Sequence, residues 1–128
     1  MIVDTSFVIA LLDPTDALHD DARRWFQQHR PLSIQQPALT ETLQATYYQT
    51  RKRAGFQSAK KQERKALDIM RNTFRFHAVP VQDIEFAMEI YLKYPELSFV
   101  DACGVADARE TGGLLTFDKD QQTLAEKP

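Results

Sequence analysis

The sequence predicts an α/β protein in three layers (α/β/α), in which a short parallel sheet is covered by helices on both faces. Two short apolar segments carry this prediction, Ile2-Val3 at the start and Leu114–Phe117 near the end, and each stops at an aspartate, Asp4 or Asp118. Apolar runs with polar ends are typical of buried strands in parallel sheets. Between them, strand-like and helical segments alternate, which favours right-handed crossovers between parallel strands.

The first half of the chain predicts three helices and one short strand, recognised by capping residues, apolar stripes and helix-breaking residues. Thr5 and Ser6 can cap the first helix, Pro31 ends the second, and Gly55 ends the third. The predicted segments are the helices Phe7–Leu12 and Ala17–His29, the strand Leu32–Ile34, and the helix Pro37–Arg53.

The second half predicts three more helices and two strands. Ser58 can cap the next helix, Pro80 indicates a sheet edge or a strand end, and Gly112-Gly113 closes the last long helix. The predicted segments are the helix Ser58–Phe74, the strand Phe76–Val81, the helices Gln82–Tyr94 and Phe99–Thr111, the strand Leu114–Phe117, and a helical turn in the tail Asp118–Pro128.

Length and composition indicate one ordinary globular domain, which we expect to span residues 1–128. The net charge of −2 does not by itself indicate a polyanionic partner. Cys103 is the one cysteine, which excludes an internal disulfide and fits a reducing compartment. The apolar run Phe7–Leu12 is too short for a membrane span, and no signal peptide is visible, so we expect a cytoplasmic protein without a membrane partner.

Acidic residues fall at positions that the predicted fold brings to one edge of the sheet. Asp4 and Asp118 follow strands, Glu41 lies near the start of the third helix, and Asp101 is the third residue of the Phe99–Thr111 helix. Ligands of open α/β sheets bind beyond the carboxyl ends of the strands, so the four carboxylates are expected to converge there. Each also has a purely structural reading: Asp4 as a helix cap, Asp101 in a capping box, Glu41 as a solvated acid and Asp118 as a turn residue.

Taken together, the four acids predict a divalent cation. At about 5–6 Å, each pair of like charges costs about 3 kcal/mol at an effective dielectric near 20, so a counter-ion is needed. Mg²⁺ or Mn²⁺ prefers carboxylate oxygen, and such an ion can activate water for attack on a phosphodiester. The hydroxyls of Thr5, Ser6 and Thr116 are candidates to orient the acids, or simple caps. His19, His29 and His77 share no ligand spacing, so no metal is assigned to them.

Several blocks of the sequence resemble the PIN-domain family, and most closely its VapC-like branch, the toxins of type II toxin–antitoxin pairs. The blocks are Ile2–Ser6, Ala10–Asp13, Thr40-Glu41, Leu97–Ala102 and Leu114–Asp120. The resemblance implies a metal-dependent endoribonuclease, with Asp4, Glu41, Asp101 and Asp118 as its catalytic, Mg²⁺- or Mn²⁺-binding cluster. It also implies a homodimer and a small antitoxin protein that blocks the cleft.

The sequence departs from the family pattern at three places. Gln121 occupies a position that is usually aromatic, and the tail from Gln122 to Pro128 is short for a further strand, so the sheet is expected to have four or five strands. Asp107 stands where the family usually has an apolar or small residue. It either extends the acidic site or faces solvent, and we favour solvent.

A basic segment is the candidate RNA-binding surface. Nine of the 16 Lys and Arg residues fall between Arg51 and Arg75, with Glu63 and Asp68 as the acids among them. Such a segment beside an acidic cleft suits a grip on a phosphate backbone, although a charge run is equally typical of a solvated helix face. The residues nearest the predicted helix break are Arg51, Lys52, Arg53, Lys60 and Lys61.

Two other classes of function also fit parts of the sequence. One is a flavodoxin-like signalling module whose strand-end Asp accepts a phosphoryl group, with Lys119 as its candidate lysine. The other is an inactive PIN-like scaffold that binds a partner protein.

Overall fold

The computed structural model describes residues 1–126 and contains, within them, a four-stranded parallel sheet and six helices. The last two residues of the predicted helical tail, Lys127 and Pro128, lie outside this range. Every helix in it is too short or too polar to cross a lipid bilayer. The strands are β1 (Ile2–Val3), β2 (Ser33–Gln35), β3 (Arg75–His77) and β4 (Leu114–Leu115); the helices are α1 (Thr5–Leu12), α2 (His19–Gln28), α3 (Gln36–Thr73), α4 (Val81–Lys93), α5 (Phe99–Thr111) and α6 (Lys119–Glu126).

The strands lie in the order β3-β2-β1-β4, all parallel. Flavodoxin-like sheets have the order 2-1-3-4-5, so this strand order does not support the hypothesis of a flavodoxin-like phosphoacceptor module. The edge position predicted for the third strand is confirmed, but its predicted extent to Val81 is wrong. Pro80 has no N–H for a sheet ladder and instead lies at the N-cap of α4, and the strand ends at His77.

Apolar side chains on opposite faces of the sheet pack against different helices. Val3 and Ile34 belong to a core formed with α1, α2 and both halves of α3, whereas Leu114 packs against a core formed by α4, α5 and α6. Neighbouring strand residues point to opposite faces, so Leu115 of β4 lies in the first core while Leu114 packs against the second. The predicted three-layer arrangement with a parallel sheet is thereby confirmed.

The predicted break at Gly55 is a kink within the long helix α3 rather than a loop between two helices. Gly55 has φ 87° and ψ −179°, a conformation that is essentially restricted to glycine. Beyond the kink the helix turns back on itself, as two contacts show. The rings of Tyr47 and Phe56 lie 6.4 Å apart, and Lys60 Nζ lies 5.4 Å from the centre of the Tyr47 ring. The basic residues on either side of the kink therefore share one end of a helical hairpin.

Candidate active site

Asp4 lies where β1 ends and α1 begins, buried between strand and helix. Its carboxylate is the N-cap of α1, since Oδ1 accepts a hydrogen bond from the Phe7 backbone N–H at 3.0 Å. The structural reading of this residue is thus correct. It leaves the second oxygen, Oδ2, for other partners.

Two hydroxyls fix the orientation of the Asp4 carboxylate. Ser6 Oγ donates to Oδ1 at 2.8 Å, and Thr116 Oγ1, just after β4, donates to Oδ2 at 2.6 Å. Ser6 in turn accepts from the Phe117 backbone N–H at 3.2 Å. The third candidate hydroxyl, Thr5 Oγ1, is buried without a hydrogen-bond partner among residues 1–126, so it does not orient Asp4.

Burial raises the pKa of Asp4 from its ordinary value of 3.8 to about 6. The hydrogen bonds from Thr116, Phe7 and Ser6 favour the charged form and lower the pKa, but they do not outweigh the loss of water. The negative charge of Asp101 raises the pKa further. Asp4 and Asp101 are therefore close enough to repel each other, which is the relationship expected of two ligands to one cation.

Asp101 is held by the first turn of α5. Its backbone N–H donates to Ser98 Oγ at 3.1 Å, while its Oδ2 accepts from the Ser98 backbone N–H at 3.2 Å. This capping box confirms the structural reading of the S-x-x-D pattern. It also holds the side chain of Asp101 at the end of the helix that faces Asp4.

Asp118 approaches the same site from α6. Its Oδ1 accepts from the backbone N–H groups of Asp120 and Gln121 at 2.9 and 3.1 Å, so it caps α6. Its own backbone N–H donates to Thr116 Oγ1 at 3.0 Å. Asp118 is thereby linked to Asp4 through a single hydroxyl.

Gln121 was noted in the sequence only as a departure from an aromatic position, and its part in the site was missed. The side chain is 1% exposed. Its Oε1 lies 3.0 Å from Thr116 Oγ1, whose single proton it shares with Asp4 Oδ2, and its Nε2 donates to the Asp101 carbonyl at 3.2 Å. It therefore joins the segment after β4, which carries Thr116, to the helix that carries Asp101.

Glu41 is the least engaged of the four predicted acids. It lies half-buried in the second turn of α3, which begins directly after β2, and forms no side-chain hydrogen bond or ion pair with residues 1–126. Among residues 1–126, no three of the four predicted acids have carboxylate oxygens within 4.8 Å of one another. The interactions in the structure connect Asp4 with Asp101 and Asp118. Glu41 is assigned to the same edge because it lies near the start of α3, which follows β2 directly.

Asp107 was expected to face solvent, and this is wrong, because its side chain is fully buried. It accepts a hydrogen bond from Gln35 Nε2 at 2.9 Å and lies 2.8 Å from His77 Nε2. The signal that was overlooked is the composition of α5, where small residues on every side allow neighbours to approach all round the helix. Those residues are Ala102, Cys103, Gly104, Ala106 and Ala108, all buried, as predicted for Cys103.

The basic candidates are solvent-exposed on both sides of the Gly55 kink. Lys60 also pairs with Glu63 at 3.3 Å, and the others carry no ion pair with residues 1–126. Arg51 follows Glu41 by ten residues, which is about 15 Å along the helix axis. The candidates are Arg51, Lys52, Arg53, Lys60 and Lys61.

The donor set at the strand ends fits a hard divalent cation. Asp4 and Asp101 offer carboxylate oxygens only, with hydroxyls behind them and neither histidine nor thiol, which suits Mg²⁺ or Mn²⁺. A cation there would also offset the burial and the repulsion by Asp101 that raise the pKa of Asp4.

Comparisons with known proteins identify the family and the fold. Comparison with curated proteins gives no match. Among solved structures, the chain is similar to VapC20 of Mycobacterium tuberculosis, described as a sarcin–ricin loop cleaving toxin, with 29% identity and a TM-score of 0.72 over 95% of this chain and 92% of that one. It shares its fold with PAE2754 of Pyrobaculum aerophilum, with 23% identity and a TM-score of 0.68 over 98% and 84% of the two chains. The model of the PIN domain matches residues 1–127, and the chain therefore belongs to the PIN-domain family.

Proposed function

We propose that this protein is an endoribonuclease that depends on Mg²⁺ or Mn²⁺, and that it is the toxin of a type II toxin–antitoxin pair. The observation that carries the proposal is the buried, hydroxyl-held carboxylate of Asp4, repelled by Asp101 at the edge beyond the ends of β1 and β4. Membership of the PIN-domain family and similarity to a toxin described as cleaving an RNA loop support the same chemistry.

The protein's own residues prepare the strand-end edge for that reaction. Asp4 and Asp101 would hold the cation, with Asp118 and Glu41 completing the acidic edge. Bound there, the cation supplies Lewis-acid polarisation and an activated water for in-line attack on a phosphodiester. Ser6 and Thr116 hold the Asp4 carboxylate in one orientation, so little rearrangement is needed when substrate arrives.

RNA would reach this edge across the basic end of the α3 hairpin. The exposed Lys and Arg around Gly55 supply positive charge that neutralises backbone phosphates, whereas the acids bind the cation rather than the RNA. Tyr47 is engaged with Phe56 and Lys60, which favours a structural part for it rather than base stacking.

Protein partners would use the exposed apolar side chains. Leu92 on α4 is 82% exposed. Other exposed apolar side chains of this region are Met88 and Tyr91 on α4 and Phe99 at the start of α5. Apolar side chains of this size suit association with a second copy or an antitoxin. We expect a two-chain mass by light scattering, and a monomer at all concentrations would count against the dimer.

Cleavage of RNA tests the proposed activity. A hairpin copying the sarcin–ricin loop is the first substrate, because the similar toxin is described as cleaving it. With Mn²⁺, the wild-type protein should cut, and chelation with EDTA should abolish cutting. Asp4→Asn and Asp101→Asn should each lower the rate by at least 100-fold, while Asp20→Asn, an exposed acid on α2, should not.

Full metal-dependent cutting by either site variant would refute the assignment of Asp4 or Asp101. Absence of cutting by the wild-type protein on a panel of structured and unstructured RNAs, together with no Mn²⁺ binding at Asp4, would favour the inactive scaffold.

A further inference from the structure

A second group of acids lies where β3, α4 and α5 meet, away from Asp4. Asp83 is in the first turn of α4, and Asp107 and Glu110 are one turn apart on α5. One carboxylate oxygen from each lies within 4.8 Å of the others. Asp107 follows Asp101 by six residues, about 9 Å along the helix axis, so this group is separate from the acids at the end of β1.

The two inner acids of this group have unused oxygens. Asp83 is 3% exposed and Asp107 is fully buried. Asp83 Oδ2 and Asp107 Oδ1 have no hydrogen-bond partner among residues 1–126, although Asp107 Oδ2 accepts from Gln35. Buried carboxylate oxygens normally have a donor or a cation. A hydrogen bond between the side chains of Asp83 and Asp107 contributes to the raised pKa of Asp83, so the pair holds either a shared proton or a cation.

His77 lies beside the group at the end of β3. Its Nε2 is buried and lies 2.8 Å from Asp107 Oδ2, at ion-pair distance. Three carboxylates outnumber one imidazole, so the group stays negative even when His77 is protonated. Burial, followed by the neighbouring Asp107 and Glu110, raises the pKa of Asp83 to about 6, against the opposing effect of His77.

We propose that Asp83, Asp107 and Glu110 form a second divalent-cation site that ties α4 to α5. Three carboxylates suit a hard divalent cation such as Mn²⁺. Glu110 is exposed, so the ion can enter from solvent on that side. The site is structural, because its ligands join α4 to α5, which pack against each other.

The test counts Mn²⁺ in a protein whose strand-end acids have been removed. Asp4→Asn/Asp101→Asn at pH 7.5 should still bind one Mn²⁺ per chain by calorimetry, and saturating Mn²⁺ should raise Tm by about 5–10 °C. Adding Asp83→Asn/Asp107→Asn should abolish both effects. Glu110→Gln, an exposed change, should weaken Mn²⁺ binding at least tenfold, whereas Glu89→Gln, an equal change of charge on α4, should leave it unchanged.

The proposal is overturned if the Asp4→Asn/Asp101→Asn protein binds no Mn²⁺, or binds it equally after Asp83→Asn/Asp107→Asn. The group would then hold a proton shared between Asp83 and Asp107 in place of a metal. Where the buried variants fail to fold, Glu110→Gln and Glu89→Gln decide, and equal Mn²⁺ affinities for these two refute the site.

Discussion

Asp4 has two roles that compete in energy. It caps α1, and it presents a charge in a place where that charge is poorly solvated. The rise of its pKa from 3.8 to about 6 corresponds to about 3 kcal/mol of strain on the ionised form at neutral pH. A fold that carries this cost needs a compensating function, and binding a cation is the one that the surrounding oxygens support.

The same pKa shift predicts how stability depends on pH when no metal is present. Folded Asp4 keeps its proton to a higher pH than unfolded Asp4. Its contribution is therefore fully present below a pH of about 4 and is lost as the pH rises through about 6. Asp83 has a shift in the same direction and adds to the trend.

Asp4→Asn should separate stability from activity. Because the variant carries no charge, we expect the metal-free protein to gain about 1–3 kcal/mol at pH 7.5 while RNA cleavage falls to background. Urea denaturation in EDTA at pH 5 and pH 7.5 measures the gain, with Asp20→Asn as the control. A variant less stable than wild type at pH 7.5 would contradict the burial account of Asp4.

Gln121 is expected to act as a positioning residue. Gln121→Met keeps the side-chain volume but removes the links to Thr116 and to the Asp101 carbonyl. Partners of metal ligands typically contribute 10–100-fold to metal affinity, so the half-saturating Mn²⁺ concentration for cleavage should rise at least tenfold. Gln122→Met, an exposed change one residue later, is the control. Equal Mn²⁺ requirements for the two variants would assign Gln121 a packing role only.

At the scale of elements, the kink in α3 depends on one glycine. A methyl group at Gly55 would meet no atom within 4 Å, so its cost is confined to the backbone. With φ at 87°, Gly55→Ala should lower the free energy of unfolding by about 1–3 kcal/mol, whereas the exposed Gln57→Ala should change it by less than about 0.5. Denaturation midpoints measure both. A Gly55→Ala protein as stable as Gln57→Ala would mean that the kink tolerates other backbone conformations.

Some helix starts were predictable from the sequence, but burial within a helix was less so. The Ser98–Asp101 cap is a local pattern and occurs as predicted. Gly55 interrupts the helix as predicted, but no new helix starts at Ser58, and α1 is capped by Asp4 rather than by Thr5 or Ser6. The burial of Asp107 depends on what packs around α5, and Asp83 and His77 reach it from other elements. The residues near Asp107 in the sequence do not indicate those partners, so the second acidic group was not predicted.

At the scale of the whole molecule, strand order determines which side chains share an edge. With β1 between β2 and β4, the residues that follow β1 and β4 are neighbours, and Asp4 meets Thr116 although 112 positions separate them. The alternation of strands and helices predicted this edge. It did not fix how close each acid lies. Glu41 therefore remains a proposal, whereas the charge of Asp101 contributes to the raised pKa of Asp4.

The basic end of the α3 hairpin should control how RNA binding depends on salt. In the Asp4→Asn background, Arg51→Ala/Lys52→Ala/Arg53→Ala should weaken RNA binding. It should also reduce the slope of log affinity against log salt by about 2, if three phosphate contacts are lost. Fluorescence anisotropy across a salt series measures this, with Arg23→Ala/Arg24→Ala/Lys93→Ala as the matched control. Equal slopes for the two triple variants would place the RNA elsewhere.

The most direct measurement of the central claim is anomalous diffraction from crystals grown with Mn²⁺. We predict an anomalous peak bound by carboxylate oxygens of both Asp4 and Asp101, and its loss in Asp101→Asn. A protein that cleaves RNA with Mn²⁺ present, yet shows no peak between these two residues, would contradict the account.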